Sequence, residues 1–486
     1  MKILEKDEKE IVVSTVISPG KISTYIEAAG VKDASSYHKT VLNFLAKLFL
    51  PAGYPNTVTP DYIRYQTFDV LQAFCSSWAA MLSSRALLEV YGVGDASASA
   101  TDALLFSVLL DIFGRVITIA AAYHLGSSLG PEAKTWRFMA DIFIDAAITI
   151  DTLAPLLMEM QIFVFLTEAF PIPFRVYLFT ISSAFRALCG IAAGGAKMAI
   201  NLHFATPLEG TGDIADFNAK DASLETVLSL TGMLVGAVIL PYITTRFATY
   251  AALAVLIVIH LSLNFSAVRG VVLRTLNRQR ACLAWAIYRS SEYQSGAHNG
   301  TADDVTPSHI SKLERIFHRP SRLVDLSGKI VGQCKIGSSL ALVSLNGQTS
   351  GSLEKVLDIL RKEQYVLWFD AACLSTLGSS PTVVGKPRIH IFLKEGYTPR
   401  DQLKAWVHAT ELALMKNKTR RRTPASSGTQ TAEELIANSY RVVDEIYPNF
   451  LQAMYQKGWV PTNDENLELV ATLLPGPPRT VIVGIH

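Results

Sequence analysis

Four ionisable residues in one apolar stretch carry the strongest chemical signal in this 486-residue chain. Arg137, Asp141, Asp145 and Asp151 fall within about a third of a helix circumference and cover roughly 21 Å along its axis. In a bilayer such an acidic stripe cannot face lipid. It must face protein or a water-filled cavity, as in proton relays and cation paths. The competing reading is the solvated face of a soluble or interfacial helix. Asp141 and Asp145 stand one turn apart, so two ionised carboxylates there would repel. Arg137, one turn earlier, could neutralise the first and leave Asp145 to exchange a proton or ion. Asp111 and Arg115 have the favourable i,i+4 order of a helical ion pair. They read either as a functional pair or as one that neutralises itself so the helix can insert. Asp69 shares a helix face with Gln66, Gln72 and Ser76. Arg186, Lys197 and His203 could line an anion site or snorkel to the interface, and His260 reads as a hydrogen-bonded core residue.

Other chemistries find little support. No GxSxG, HExxH, CxxC or GxxxxGK[ST] pattern occurs. The five cysteines, Cys75, Cys189, Cys282, Cys334 and Cys373, are odd in number and unpaired in spacing, which argues against a disulfide framework or a zinc site. The residues identify no metal or cofactor site. A metal-dependent phosphotransferase using Asp111, Asp141 and Asp145 stays open as an alternative, although related membrane transferases pack their aspartates closer in sequence. Gly190 and Gly194, and again Gly232 and Gly236, have the small-xxx-small spacing that lets membrane helices approach closely. Asn218, Ala219, Lys220 and Asp221 read as a polar connection, with Ser223 as the cap of the next helix.

The elements that would hold these residues are helices. Half the residues are hydrophobic and 18% are charged, below the roughly 25% of soluble proteins. The deficit lies before residue 290. A net charge of +2 gives no field suited to nucleic acid. Residues 1–37 read as a loosely ordered arm without a secretory or transit signal. Helical patterning begins near His38, and longer helices follow at 61–90, 102–124, 135–154 and 175–204. The segment 158–174, broken by Glu168, Pro171 and Pro173, reads as re-entrant or interfacial. Residues 226–245 and 248–268 lack Asp, Glu, Lys and Arg, and each nearly matches the ~20 residues that cross a bilayer. Only Arg246 and Phe247 separate them, which predicts a tight hairpin. Arg269, Arg274, Arg278 and Arg280 follow and place that end in the cytosol.

The spacing therefore predicts a mainly α protein. A multi-helix membrane-embedded bundle at 38–289 is followed by a linker at 290–308 and a small soluble α+β domain at 309–486. In that domain 351–364, 399–416 and 431–457 read as helices, 365–369, 388–393 and 480–485 as strands, and 416–431 as a basic loop.

Several blocks also resemble the root UVB sensitive family. They are PAGYPNTVTPDYIRYQTFDVLQAFCSS, YGVGDASASAT, DIFGR with HLGSSLGPEAKTWRFMADIFIDAA, RALCGIAAGGAKMAINLHFA, and GTGDIADFNAKDASLETV. They keep the family's order across about 38–290, and IFLKEGYTPRDQLKAWVHA resembles a C-terminal block. Ile144, where the family usually has Asn, and the insertion MEMQIFVFLTEA depart from the pattern. The resemblance implies light-stress responses, vitamin B6 homeostasis and organelle membranes, without a firm chemical reaction. A link to pyridoxal phosphate comes from the resemblance alone. The implied partners are the lipid bilayer and other members of the family, as homo- or hetero-oligomers. The resulting expectation is a non-enzymatic transporter or scaffold. A structural adaptor acting through the C-terminal domain is the further alternative.

Overall fold

A computed structural model describes residues 2–6, 12–18, 21–26, 44–90, 100–159, 174–208, 212–295, 305–339, 350–369, 387–422, 431–463, 468–469, 471–473 and 479–482. The hinge at 91–99, most of the segment broken by prolines, part of the expected linker, and Cys373 lie outside these residues. The N-terminal stretch is more regular than an arm. β1 (Lys2–Lys6), β2 (Val12–Ser18) and β3 (Lys21–Ile26) form an antiparallel meander, with Lys2 opposite Val16 and Val13 opposite Ile26. The β-branched runs of β2 and β3 suit a pleated surface.

Among the described residues six long helices build the bundle. They are α1 (Tyr62–Val90), α2 (Ala100–Leu129), α3 (Ala133–Glu159), α4 (Phe174–Phe204), α5 (Ile214–Ile239) and α6 (Arg246–Gly270). α1 is the central strut, packed by α3, α5 and α6, while α3 lies along α4 and α2 attaches to the outside through α4. Ala133, Ala140, Ala147 and Ala154 recur every seven residues along α3 and are fully buried. A seam of such small side chains lets helices approach closely. α5 opens on Asp213, whose carboxylate accepts from the Ala215 and Asp216 amides, and α6 opens on Thr245, which accepts from Ala248.

Among the described residues four helical segments are long and apolar enough to cross a membrane: Leu104–Leu129, Phe174–Phe204, Ile214–Tyr242 and Arg246–Gly270. Their outer faces leave large apolar side chains uncovered, among them Ile119, Val238 and Phe247 at 71%, 68% and 83% exposure. Surfaces of this kind belong against lipid or protein.

Two sequence readings of this region change. The hairpin around Arg246 forms through a short 3-10 turn at Leu240–Tyr242, but its two helices pack chiefly on α1 and little on one another. The expected polar connection at Asn218–Asp221 is helical, and Asp213 rather than Ser223 is the cap. Its polar side chains face the protein interior, so the helix can begin a dozen residues before the apolar run.

α7 (Arg278–Ser295) belongs by packing to the C-terminal part. Ala281, Cys282, Leu283 and Trp285 join its core, so the packing unit begins ahead of the sequence linker. After α8 (Pro307–Leu313) come β4 (Arg322–Val324), β5 (Ile330–Ile336), α9 (Ser350–Ile359), β6 (Tyr365–Phe369) and β7 (Arg388–Lys394). α10 (Pro399–Arg422) and α11 (Ala432–Gln456) cover the sheet, and the short strands β8 (Pro461–Asn463), β9 (Glu468–Leu469) and β10 (Thr480–Val481) complete the order. β7 is central, antiparallel to β6 and parallel to β5 and β10. The basic loop expected from 416 is helical as far as Arg422.

Candidate functional site

The stripe on α3 turns into the bundle and finds partners on three other helices, α1, α4 and α6. Arg137 donates from Nη2 to Asp69 on α1 and from Nη1 to Asp141 one turn on, each at 2.7 Å. Its Nε lies 3.4 Å from the Tyr65 hydroxyl. Asp141 also accepts from Asn264 on α6. One turn further, Asp145 Oδ2 meets His260 Nδ1 at 2.9 Å, and the other ring nitrogen is 3.6 Å from Asp141. The His260 ring therefore spans two successive carboxylates. Asp145 Oδ1 has no hydrogen-bond partner among the described residues.

Lys197 on α4 extends the network toward α5. Its Nζ lies 2.6 Å from Glu225, 2.9 Å from Asp221 and 3.8 Å from Asp69. Gln66 donates to Asp221 at 2.9 Å, and Asn201 donates to Asn218 at 2.8 Å. Arg186 forms a separate pair lower on the bundle, 2.5 Å from Asp151, with Ser83 bonded to the same carboxylate. Around Arg137 and Lys197 two cations face five carboxylates: Asp69, Asp141, Asp145, Asp221 and Glu225. Among the described residues the His260 ring is the further group beside them that can carry positive charge. Glu225 is 44% exposed, while Asp69, Asp141, Asp145 and Asp221 are buried; buried charges persist only when paired, so these four leave room for a proton or cation.

Asp69, Arg137, Asp141, Asp145 and Lys197 are thus brought together, while Arg186 forms its own pair. Asp111 and Arg115 stand apart. They bond to each other at 2.8 Å on the outer face of α2, with side chains 63% and 76% exposed. An aspartate triad of Asp111, Asp141 and Asp145 does not assemble. Among the described residues no group of three or more His, Cys, Asp or Glu is disposed to hold a metal. The glycines divide as well. An added Cβ at Gly232 would sit 2.6 Å from the Phe74 carbonyl oxygen, and one at Gly236 would press on Met81 and Trp78. At Gly190 and Gly194 it would meet nothing. Close packing on α4 falls instead to Gly195, against Leu129. The motif spacing at Gly190 and Gly194 lies on an exposed face, which corrects the reading of that pair.

Asn264, Tyr65, Asn201 and Ser83 join the site without a motif of their own in the sequence. The signal was present in α6, where Leu253, Leu256, His260, Asn264 and Ala267 form one buried stripe. Two polar residues inside an otherwise apolar inward stripe are themselves a mark of a site.

A second set of charges joins the bundle to the C-terminal part. Glu314 is buried between Lys134 at 2.6 Å and Arg280 at 2.7 Å, and Lys134 also donates to Ser311 at 2.9 Å. Burial works against the Glu314 carboxylate, but the two cations outweigh it and hold its pKa below the ordinary value. Nearby, burial raises Glu132 despite Arg280. At the head of α1, Asp61 accepts from the Val272 amide at 2.7 Å and meets His203 at 3.1 Å. Burial opposes its charge, yet the His203 bond prevails and the pKa is lowered.

Fold and site together define a helical bundle of membrane-associating type, with an ionic core and an attached α+β domain. The profile described as the vitamin B6 photo-protection and homoeostasis domain matches residues 35–292, and that of the root UVB sensitive protein C-terminal region matches 381–468. The chain belongs to the root UVB sensitive family. It is similar to "RUS family member 1" of Dictyostelium discoideum, 31% identical over 318 residues, or 65% of this chain and 55% of that protein. "Protein root UVB sensitive 3" of Arabidopsis thaliana is 28% identical over 374 residues, covering 76% and 75% of the two chains. "Protein root UVB sensitive 2, chloroplastic" is 23% identical over 422 residues, covering 87% and 82%. No solved structure matches.

Proposed function

We propose that the chain is an integral membrane carrier without enzymatic activity, acting in vitamin B6 or related metabolite homeostasis, with Asp145 and His260 exchanging a proton or cation. The observation that carries this is the buried Asp145–His260 contact at 2.9 Å, with the second Asp145 oxygen unpartnered among the described residues. A scaffold needs no such group. A buried ionisable pair usually gives less stability than apolar residues of the same volume would, so its presence needs a reason beyond stability, and ionisable groups at membrane depth are functional by default. The four long apolar helices support spanning. The arginines from Arg269 onward support a cytosolic C-terminal domain by the positive-inside rule. The family's domain description supports the vitamin B6 setting.

Complementation of a strain lacking the protein tests the reading. Asp145→Asn keeps shape and hydrogen bonding but removes the charge. It should insert normally, remain in the pellet after alkaline carbonate extraction, and fail to complement. Asp141→Asn should be less severe, because Arg137 and Asn264 already engage that carboxylate. Full activity of both variants would leave the ionic core a structural device and favour an adaptor.

A further inference from the structure

One end of the bundle holds polar groups that the Asp145–His260 pair does not use. Asp221 on α5 is buried and ringed by donors: Gln66 Nε2 at 2.9 Å, Lys197 Nζ at 2.9 Å and Asn201 Nδ2 at 3.3 Å. An ionised carboxylate only accepts, so both amides must turn their nitrogens toward it. Their oxygens are then left over. Gln66 Oε1 and Asn201 Oδ1 have no hydrogen-bond partner among the described residues, although these residues are 2% and 4% exposed. The hydroxyl of Tyr62, whose ring packs on Phe204 and Phe217, lacks one as well. Oxygen and nitrogen of one amide stand about 2.3 Å apart, which keeps each free amide oxygen within roughly 6 Å of the Asp221 carboxylate.

Charge points the same way. Arg137 and Lys197 bring two positive charges to the buried carboxylates of Asp69, Asp141 and Asp221. His260 lies nearest Asp145 and pairs with it. One negative charge is left among the other three, and buried charge persists only when paired. A proton would cancel that charge but leave the amide oxygens as they are. A metal cation answers both at once. One residual charge suits a monovalent ion, and amide oxygens suit an alkali metal, as carbonyl dipoles do in channels and carriers. Such an ion needs no trio of His, Cys, Asp or Glu. Lys197 approaches Asp221 at Oδ2, while Gln66 marks Oδ1. Access lies between α4 and α5, which pack little on one another and leave the Lys197 and Glu225 side chains partly exposed.

We propose that Gln66 Oε1, Asn201 Oδ1 and the Asp221 carboxylate bind a monovalent alkali cation near the end of the bundle, ahead of Asp145 and His260. Asp221 lies about 12 Å along α5 from its cap at Asp213, and Asp145 about 18 Å along α3 from Ala133. Ala133, Tyr62, Phe204 and Phe217 share one core, so both distances start from the same end. An ion arriving from that end meets Asp221 before the His260 ring. The site rests on the carrier reading for what the ion drives, and on the amide oxygens for where it binds.

Full-length protein purified in detergent and choline chloride provides the test. Sodium or potassium chloride replaces the choline salt at constant ionic strength, and size-exclusion fluorescence after heating reports the thermal midpoint. One of the two ions should raise the midpoint saturably, by about 5 °C. Gln66→Met and Asn201→Leu each remove one oxygen and should raise the half-saturating concentration about ten-fold. Gln66→Glu supplies a gain that misfolding cannot produce, because a second carboxylate beside Asp221 should transfer the response to calcium. Equal midpoints in sodium, potassium and choline, an unchanged response in both Gln66→Met and Asn201→Leu, or indifference of Gln66→Glu to calcium would overturn the site. Asp145→Asn should keep the response. Its loss there, with Gln66→Met unaffected, would put the ion at His260 and overturn the site as well. Failure of the carrier reading looks different: the midpoint still responds to the ion, while reconstituted liposomes take up no labelled vitamer.

Discussion

Arg137→Met should be among the most damaging single changes in the bundle. The guanidinium is buried and holds Asp69 and Asp141 at 2.7 Å each. Its removal strands two carboxylates. Lys197 stays 3.8 Å from Asp69, a weak substitute, while Asp141 keeps Asn264 and a His260 ring nitrogen at 3.6 Å. Breaking a buried pair by removing one partner typically destabilises by about 3–5 kcal/mol. Against a typical total of roughly 5–15 kcal/mol, that is a large fraction. The expected shift in thermal midpoint is about 5 °C or more, read by size-exclusion fluorescence of the detergent-purified protein after heating. A triple variant with Asp69→Asn and Asp141→Asn added should recover much of the loss, because the stranded charges cause it. If Arg137→Met leaves the midpoint unchanged, or if the triple variant is worse than the single one, the ionic core does not hold the helices as described.

Other expectations follow from the same geometry. Gly232→Leu should lower folding yield sharply, since even a Cβ there meets the Phe74 carbonyl, whereas Gly194→Leu should be nearly neutral; equal yields would contradict the packing of α5 on α1. Burial pushes the His408 imidazole, bonded to Tyr365 and Ser439, down to about 3. Between that value and the ordinary histidine range the unfolded chain binds more protons, so stability is full above about pH 6.5 and declines as the pH falls, by about 2 kcal/mol at pH 5. Tryptophan fluorescence of the C-terminal core should report this decline in denaturant titrations, and His408→Gln should flatten it. Asn299 and Asn417 lie in glycosylation sequons. Both should stay unmodified in a microsomal insertion assay if the C-terminal part faces the cytosol; glycosylation at either site reverses the orientation.

Much of this arrangement was legible in the sequence because membrane patterning is strong and local. The charge-free stretches announced α5 and α6, and the spacing of Arg137, Asp141 and Asp145 announced an inward face on α3. Distances along the chain could not announce partners. Asp69 lies 68 residues from Arg137, and Asn264 lies 123 residues from Asp141. Only the folded bundle closes those gaps. The Gly190 and Gly194 spacing misled because a small-xxx-small motif says that a face can be approached, not that a helix approaches it. The Ala133, Ala140, Ala147 and Ala154 seam carried the better signal and is buried throughout. In the sequence Asn218 and Asp221 suggest a break, because a polar run usually marks a connection between helices. Their side chains meet Asn201, Gln66 and Lys197 instead, and a polar interior reverses the usual meaning of a polar run.

In a carrier of the kind proposed, the buried Asp145–His260 pair couples a proton or cation to movement of a small metabolite. Uptake of labelled vitamin B6 vitamers into liposomes reconstituted with the purified protein, with and without an imposed pH gradient, tests it most directly. Uptake above empty liposomes that responds to the gradient, and that disappears in Asp145→Asn at equal incorporation, is the expected result. Uptake no greater than that of empty liposomes, or uptake that survives Asp145→Asn unchanged, would contradict it.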